Sequence, residues 1–113
     1  MAAIPFEIGS SQTGDTVIVS VGGEIDMTTG PELVGAVELV PDAAKQVVLD
    51  LGEVTFLDSS ALNALIQCQR ALLERKIEFR IAGPKDRAVR RVFEITRLTE
   101  PLNVVDSLED ALG

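Results

Sequence analysis

The stretch Gln46-Val-Val-Leu-Asp-Leu51 decides the fold, because it is a short and nearly continuous apolar run. Such a run is typical of a strand that is buried on both faces of a sheet. From Ser59 onward the apolar residues recur at helical spacing, with Leu62 and Leu65 on the same side of the pattern. A buried strand followed within a few residues by a helix predicts a parallel sheet with helical connections.

The same alternation continues on both sides of this unit. We predict strands over residues 6–8, 16–21, 46–51, 78–82 and 103–106, and helices between 29 and 41, from 59 onward, over 87–98 and from 107 onward. The order β-β-α-β-α-β-α-β-α predicts a single α/β domain over residues 1–113. Its sheet is expected to be mixed but mostly parallel, four- to five-stranded, and packed with four helices.

Glycines and short polar stretches predict where these elements end. The pair Gly22-Gly23 is predicted to end the second strand, and residues 9–15 to form the turn of a hairpin with the first strand. Residues 54–58 are predicted to be a short connection between the buried strand and the helix that begins at Ser59.

The helices have recognisable first turns and apolar faces. Thr29 and Glu32 have the spacing of a capping box, with Pro31 in the first turn, where its missing N–H costs nothing. Cys68 is predicted to pack as a small apolar residue at the edge of the core. One core is predicted from the following residues: Val47, Val48, Leu49, Leu62, Leu65, Ile66, Val89, Val92 and Phe93.

Composition and charge exclude several classes of function. The chain has 113 residues, 46% of them apolar, no histidine, one cysteine and a net charge of −8. Seven acids and no base lie in residues 1–44, so the N-terminal half is either a solvated acidic surface or an acidic recognition surface. This balance argues against nucleic acid and anionic membranes as partners. The start has no signal-peptide pattern and no segment is apolar enough to span a membrane, which fits a reducing cytoplasm.

The sequence also lacks the usual signatures of catalysis. The absence of histidine removes imidazole-based acid–base catalysis, the Ser-His-Asp triad and imidazole zinc sites. No phosphate-binding glycine loop and no nucleophile elbow is present. We therefore predict no catalytic residue, no metal and no cofactor, and a protein that is not an enzyme.

The segment Asp58-Ser59-Ser60 lies where a loop becomes a helix, and it has two interpretations. Asp and Ser are preferred at helix N-termini, so the segment could be a cap and nothing more. Alternatively, one serine is a modification site, since a helix N-terminus tolerates an added phosphate.

A family resemblance favours the second interpretation. Val47-Val-Leu-Asp-Leu-Gly-Glu-Val-Thr-Phe-Leu-Asp-Ser-Ser-Ala-Leu62 resembles the signature of STAS domains, the fold of bacterial anti-sigma factor antagonists. Gly23-Glu-Ile-Asp26 resembles that family's Gly-Glu-Leu-Asp segment before the first helix. Arg87-Ala-Val-Arg-Arg-Val-Phe-Glu94 resembles its late helix. The likeness runs from about residue 6 to residue 112.

The resemblance implies a partner and a switch. The implied partner is an anti-sigma factor that is also an ATP-dependent serine kinase; the unphosphorylated antagonist binds it and frees its sigma factor. The implied phosphorylation site is Ser59, and a separate serine phosphatase would reset it. The residues expected to bind the partner are Glu24, Asp26, Asp58, Ser60 and Asn63. Ala61 departs from the family's usual glycine; the fold should tolerate it, but a kinase that approaches closely would meet it.

Two other functions remain open from the sequence. The first is a stand-alone STAS subunit of a transporter complex, for example one that transports lipids; it would bind membrane subunits in place of an anti-sigma factor. The second is a small enzyme or nucleotide-binding protein on the same fold, which the missing histidine and phosphate loop disfavour.

Overall fold

The computed structural model describes residues 5–113 as one five-stranded sheet with four helices. The elements are β1 (Glu7–Thr13), β2 (Thr16–Ile25), α1 (Gly30–Glu38), β3 (Gln46–Leu57), α2 (Ser59–Glu74), β4 (Glu78–Ala82), α3 (Arg87–Ile95), β5 (Val104–Val105) and α4 (Leu108–Leu112). The strands lie in chain order across the sheet. The β1–β2 pair is antiparallel and the other three pairs are parallel, which confirms the predicted fold class.

The two central strands are longer than predicted. β2 does not end at Gly22-Gly23 but continues to Ile25, and β3 includes residues 54–57, which were predicted to be a connection. The pairing between them stays in place because the register shifts at the glycines, where Gly23 adopts a φ of +85°. A residue with a side chain would be strained there. This extension carries both strands to the same edge of the sheet.

The N-terminal hairpin also differs from the prediction. β1 extends to Thr13, and the turn is only Gly14-Asp15 instead of residues 9–15, with Gly14 at a φ of +62°. Every residue of β1 is exposed, so the strand has no buried apolar residues by which sequence periodicity could detect it. Later in the chain, α3 ends at Ile95, three residues earlier than predicted.

The core divides between the two faces of the sheet. Most predicted core residues pack with α1, α2 and α3 on one face, although Ile66 and Val92 are only partly buried. Val48 is an exception: it points to the opposite face and packs with Ala82 and Ala111 beneath α4. The prediction of one core was wrong here because successive residues of a strand point to opposite faces.

The close packing of β4 against β5 gives a test of this topology. A Cβ on Gly83 would lie 2.5 Å from the carbonyl oxygen of Asp106 and 2.6 Å from that of Val105, so Gly83→Ala should lower the free energy of unfolding by about 1–3 kcal/mol. Gly35, inside α1, has no atom within 4 Å of such a Cβ, and Gly35→Ala should raise the stability by about 0.5–1 kcal/mol. Urea unfolding measures both changes, and equal effects of the two variants would contradict the strand order.

Candidate functional site

The candidate site lies where β2 and β3 end side by side. Ile25 pairs with Leu57 at the carboxyl ends of these two parallel strands. The next residues along each strand, Asp26 and Asp58, therefore begin two neighbouring loops at one edge of the sheet. In α/β sheets this edge is where binding sites usually form.

The loop after β2 is held by the side chain of Asp26. Its Oδ1 accepts hydrogen bonds from the backbone N–H of Thr28 at 2.9 Å, from the Thr28 hydroxyl at 2.7 Å and from the backbone N–H of Thr29 at 3.1 Å. These donors, above all the Thr28 hydroxyl, lower the pKa of Asp26 below its ordinary value of 3.8. The carboxylate is thus fixed in place and charged at neutral pH.

The predicted capping box at the start of α1 does not form. Thr29 is the N-cap residue, but its side chain makes no capping hydrogen bond. Its hydroxyl instead accepts from the backbone N–H of Asp26 at 2.8 Å and donates to the carbonyl oxygen of Glu24 at 2.9 Å. The hydroxyl is therefore used within the loop and is turned away from the helix.

Asp58 caps α2, as the first interpretation of the segment expected. Its Oδ1 accepts from the backbone N–H of Ala61 at 3.0 Å and from the Ser60 hydroxyl at 2.6 Å. These bonds, the one from Ser60 first, lower the pKa of Asp58, while the nearby charge of Asp26 raises it slightly. The two carboxylates are therefore close enough for their charges to repel.

The two serines have different surroundings. Ser59 is the first residue of α2; it is exposed, and its hydroxyl makes no hydrogen bond to residues 5–113. Ser60 is half-buried, and its hydroxyl is occupied by Asp58. Of the pair, Ser59 is the one whose oxygen is accessible to another protein.

The remaining predicted contact residues lie close by but on two different surfaces. Asp26, Ser60 and Asn63 line one groove between α1 and α2. Glu24 is exposed on β2, where it pairs with Phe56 of β3, and it is not part of that groove. The structure thus brings three of the five residues together in the groove, joins Asp58 to them through its hydrogen bond with Ser60, and leaves Glu24 on the adjacent strand.

Sequence reasoning missed two exposed apolar residues at this edge. Met27 is 77% exposed and Phe56 is 47% exposed. Only the local sequence could have indicated that Met27 is exposed. Asp26 followed by Thr28 and Thr29 favours a tight turn, and Met27 lies within that turn. Phe56 was missed because residues 54–58 were predicted to be a connection, whereas β3 continues to Leu57.

Ala61, which departs from the family pattern, lies in the core. Its exposed fraction is 0%, and it packs in the main core with the other apolar residues of α2. Its methyl group therefore does not lie on the surface that a kinase would contact at Ser59.

Other features of the described residues set limits on the chemistry. Among residues 5–113, no helix has the length and apolar composition needed to cross a bilayer, and no three metal-ligating side chains cluster. Cys68 packs as a small apolar residue, as predicted, but it lies inside the main core and not at its edge. Burial, followed by the charge of Glu38, raises the pKa of its thiol to about 12. The thiol is therefore protonated and unreactive at neutral pH.

Comparison with known proteins identifies the family to which the chain belongs. The model of the STAS domain family matches residues 8–111, so the chain belongs to that family, as the sequence predicted. The anti-sigma-B factor antagonist of Listeria monocytogenes is 35% identical over 103 residues, which cover 89% of this chain and 88% of that protein. The protein of the same name from Staphylococcus aureus is 34% identical over 92 residues, covering 80% and 84% of the two chains. The crystal structure of an anti-sigma factor antagonist from Mycobacterium paratuberculosis superposes with a TM-score of 0.83 at 31% identity, over 96% of this chain and 92% of that one.

Proposed function

We infer that this protein is an anti-sigma factor antagonist, and we propose that it is switched by phosphorylation of Ser59. In this proposal the unphosphorylated chain binds an anti-sigma factor that is an ATP-dependent serine kinase, and the sigma factor is released. The protein acts as a binding module and kinase substrate in the cytoplasm, it is not an enzyme, and a serine phosphatase restores it. The observation that carries the proposal is the exposed Ser59 hydroxyl at the start of a 16-residue helix, beside the carboxylates of Asp26 and Asp58.

The position of Ser59 decides what a phosphate would do. A phosphate adds about −1.5 to −2 charges at neutral pH. At a helix N-terminus the helix dipole favours such a charge, by about 0.3–1 kcal/mol at exposed positions, so α2 should stay folded. The effect of the modification must therefore fall on the contact with the partner.

The surface around Ser59 already favours a basic partner. Asp58 precedes the serine in the chain, Asp26 is close enough to Asp58 for their charges to interact, and Glu24 is exposed on the neighbouring strand. A phosphate on Ser59 would lie next to the carboxylate of Asp58. When the interface closes and excludes water, these like charges are pressed together and the phosphate is desolvated, which costs several kcal/mol.

Direct binding tests this function. The ATPase-type anti-sigma factors of the source organism are purified, and each is titrated with this protein in a calorimeter. We expect one of them to bind with a submicromolar Kd and to release its sigma factor when this protein is added. Binding to none of them, together with co-purification of membrane subunits, would favour the transporter subunit instead.

The two carboxylates should contribute through their charge. Asp26→Asn and Asp58→Asn keep the oxygen that accepts the loop hydrogen bonds, so the loops should persist. Each variant should weaken binding about three- to tenfold at low salt and reduce the salt dependence of the association rate, because such charges mainly steer encounter. Stopped-flow association at several salt concentrations measures this effect. Asp110→Asn, an exposed acid on α4, is the matched control; an equal loss in the control would mean that only net charge matters.

A further inference from the structure

A groove with a volume of about 470 Å³ runs along α1 and α2 away from Ser59. The lining positions recur at helical spacing, namely Gly30, Val34 and Glu38 on α1 and Ser60, Ala64 and Gln67 on α2. Positions spaced in this way lie along one side of a helix. At 1.5 Å per residue they extend over about two turns, or about 12 Å. The groove therefore follows about two turns of each helix, and its first residue on α2 is Ser60, which is next to the proposed switch.

The middle of this groove is made of small and apolar residues. A Cβ on Gly30 would lie 3.2 Å from the Cβ of Ala64, so the two helices approach each other closely at this point. Val34, partly exposed, lies one turn further along α1. Both walls of the groove are helices, so the groove has no unpaired strand edge that could bind an extended segment.

Met27 lines the groove from the loop that precedes α1. It lies in the turn that Asp26 fixes through its bonds to Thr28 and Thr29, and it is 77% exposed. A large apolar side chain on a fixed turn gains nothing for folding. The backbone of the turn is already held by Asp26, so a partner need order only the Met27 side chain and not the loop, which favours binding.

The charges along the groove have one sign. Asp26 lies at one end of α1 and Glu38 at the other, and none of the residues that line the groove is basic. The occupant that complements this surface is therefore positively charged at both ends and apolar in the middle.

We propose that the groove binds an amphipathic helix of the anti-sigma factor, with an apolar face against Met27, Val34 and Ala64 and basic residues at both ends. This inference rests on the proposed function and names the part of the partner that is recognised. A helix fits because it satisfies its own backbone hydrogen bonds and presents side chains at spacings that match two turns of α1 and α2.

Two variants that leave Ser59 and the acidic residues unchanged test this surface. Met27→Ser removes the exposed apolar anchor, and Gln67→Lys places a positive charge in the groove two helical turns from Ser59. Each should weaken binding to the purified anti-sigma factor about tenfold or more, the loss expected for residues that a partner buries. The controls carry the same chemical changes elsewhere: Leu39→Ser, at a residue that is 86% exposed, and Gln12→Lys on β1 should bind within about twofold of wild type.

Hydrogen exchange in the anti-sigma factor identifies the segment that becomes protected on binding. We expect a helix with basic residues. If Ser59→Asp abolishes binding while Met27→Ser and Gln67→Lys bind like wild type, the groove is not the binding surface, but the proposed function stands. Protection of an acidic or extended segment alone would also overturn the proposal of a basic helix in the groove. If the wild-type protein binds no anti-sigma factor, both proposals fail.

Discussion

Phosphorylation of Ser59 is expected to lower this protein's affinity for its anti-sigma factor by about 100-fold or more. The loss follows from desolvating the phosphate beside the carboxylate of Asp58, which costs several kcal/mol, and each 1.4 kcal/mol is a factor of ten in affinity. It should be a change in binding and not in folding, because the phosphate lies at the N-terminus of α2, where the helix dipole tolerates it. Calorimetric titration of the phosphorylated and unphosphorylated proteins measures the first effect, and urea unfolding measures the second.

Single substitutions separate the parts of this prediction. Ser59→Ala should bind like wild type and accept no phosphate, because it adds no charge. Ser59→Asp should bind poorly, but better than the phosphoprotein, since it carries about one charge in place of about −1.5 to −2. Ser11→Asp adds the same charge on the exposed strand β1 and should not change binding. An equal loss in Ser59→Asp and Ser11→Asp would contradict control by position.

The two serines of the segment should also behave differently towards the kinase. After incubation with the anti-sigma factor and ATP, mass spectrometry should place one phosphate on Ser59. Ser60→Ala should still accept it, because the Ser60 hydroxyl is occupied by Asp58 and is not the exposed oxygen. Phosphate on Ser60 would show that the assignment is wrong by one residue.

The parts of the fold that sequence predicted well are those with local causes. α2 begins at Ser59 as predicted because Asp58 caps it from within three residues. β4 has its predicted bounds because its own residues alternate between polar and apolar and Gly83-Pro84 follows directly. The ends of β2 and β3 were wrong because they depend on pairing between strands that are distant in sequence. Gly22-Gly23 was predicted to end β2, yet the pairing continues past both glycines through shifts in register.

The site shows the same division. The serines and Asp58 lie in one short segment, so sequence alone could single them out. Asp26 came from a family resemblance, and the structure supplies the reason that it lies near Asp58, which is the pairing of Ile25 with Leu57. The groove could not be predicted, because it exists only where α1 and α2 pack at Gly30 and Ala64.

Leu65→Ala should lower the free energy of unfolding by about 2–5 kcal/mol. Leu65 is fully buried in the main core on the inner side of α2, and its truncation both loses transfer free energy and leaves a cavity. Domains of this size are stable by about 5–15 kcal/mol, so the variant should remain folded at low temperature but unfold at a much lower urea concentration.

Leu73→Ala is the matched control for this change. It makes the same substitution on the same helix at a residue that is 58% exposed, and its effect should stay within about 0.5 kcal/mol. At a temperature where Leu65→Ala is fully folded, its affinity for the anti-sigma factor should equal that of wild type, because Leu65 lies on the side of α2 that faces the sheet and not the partner. An unchanged urea midpoint for Leu65→Ala, or an equal shift for Leu73→Ala, would mean that α2 does not pack on the sheet by this side, and the orientation of Ser59, Ser60 and Asn63 would then have to be reassigned.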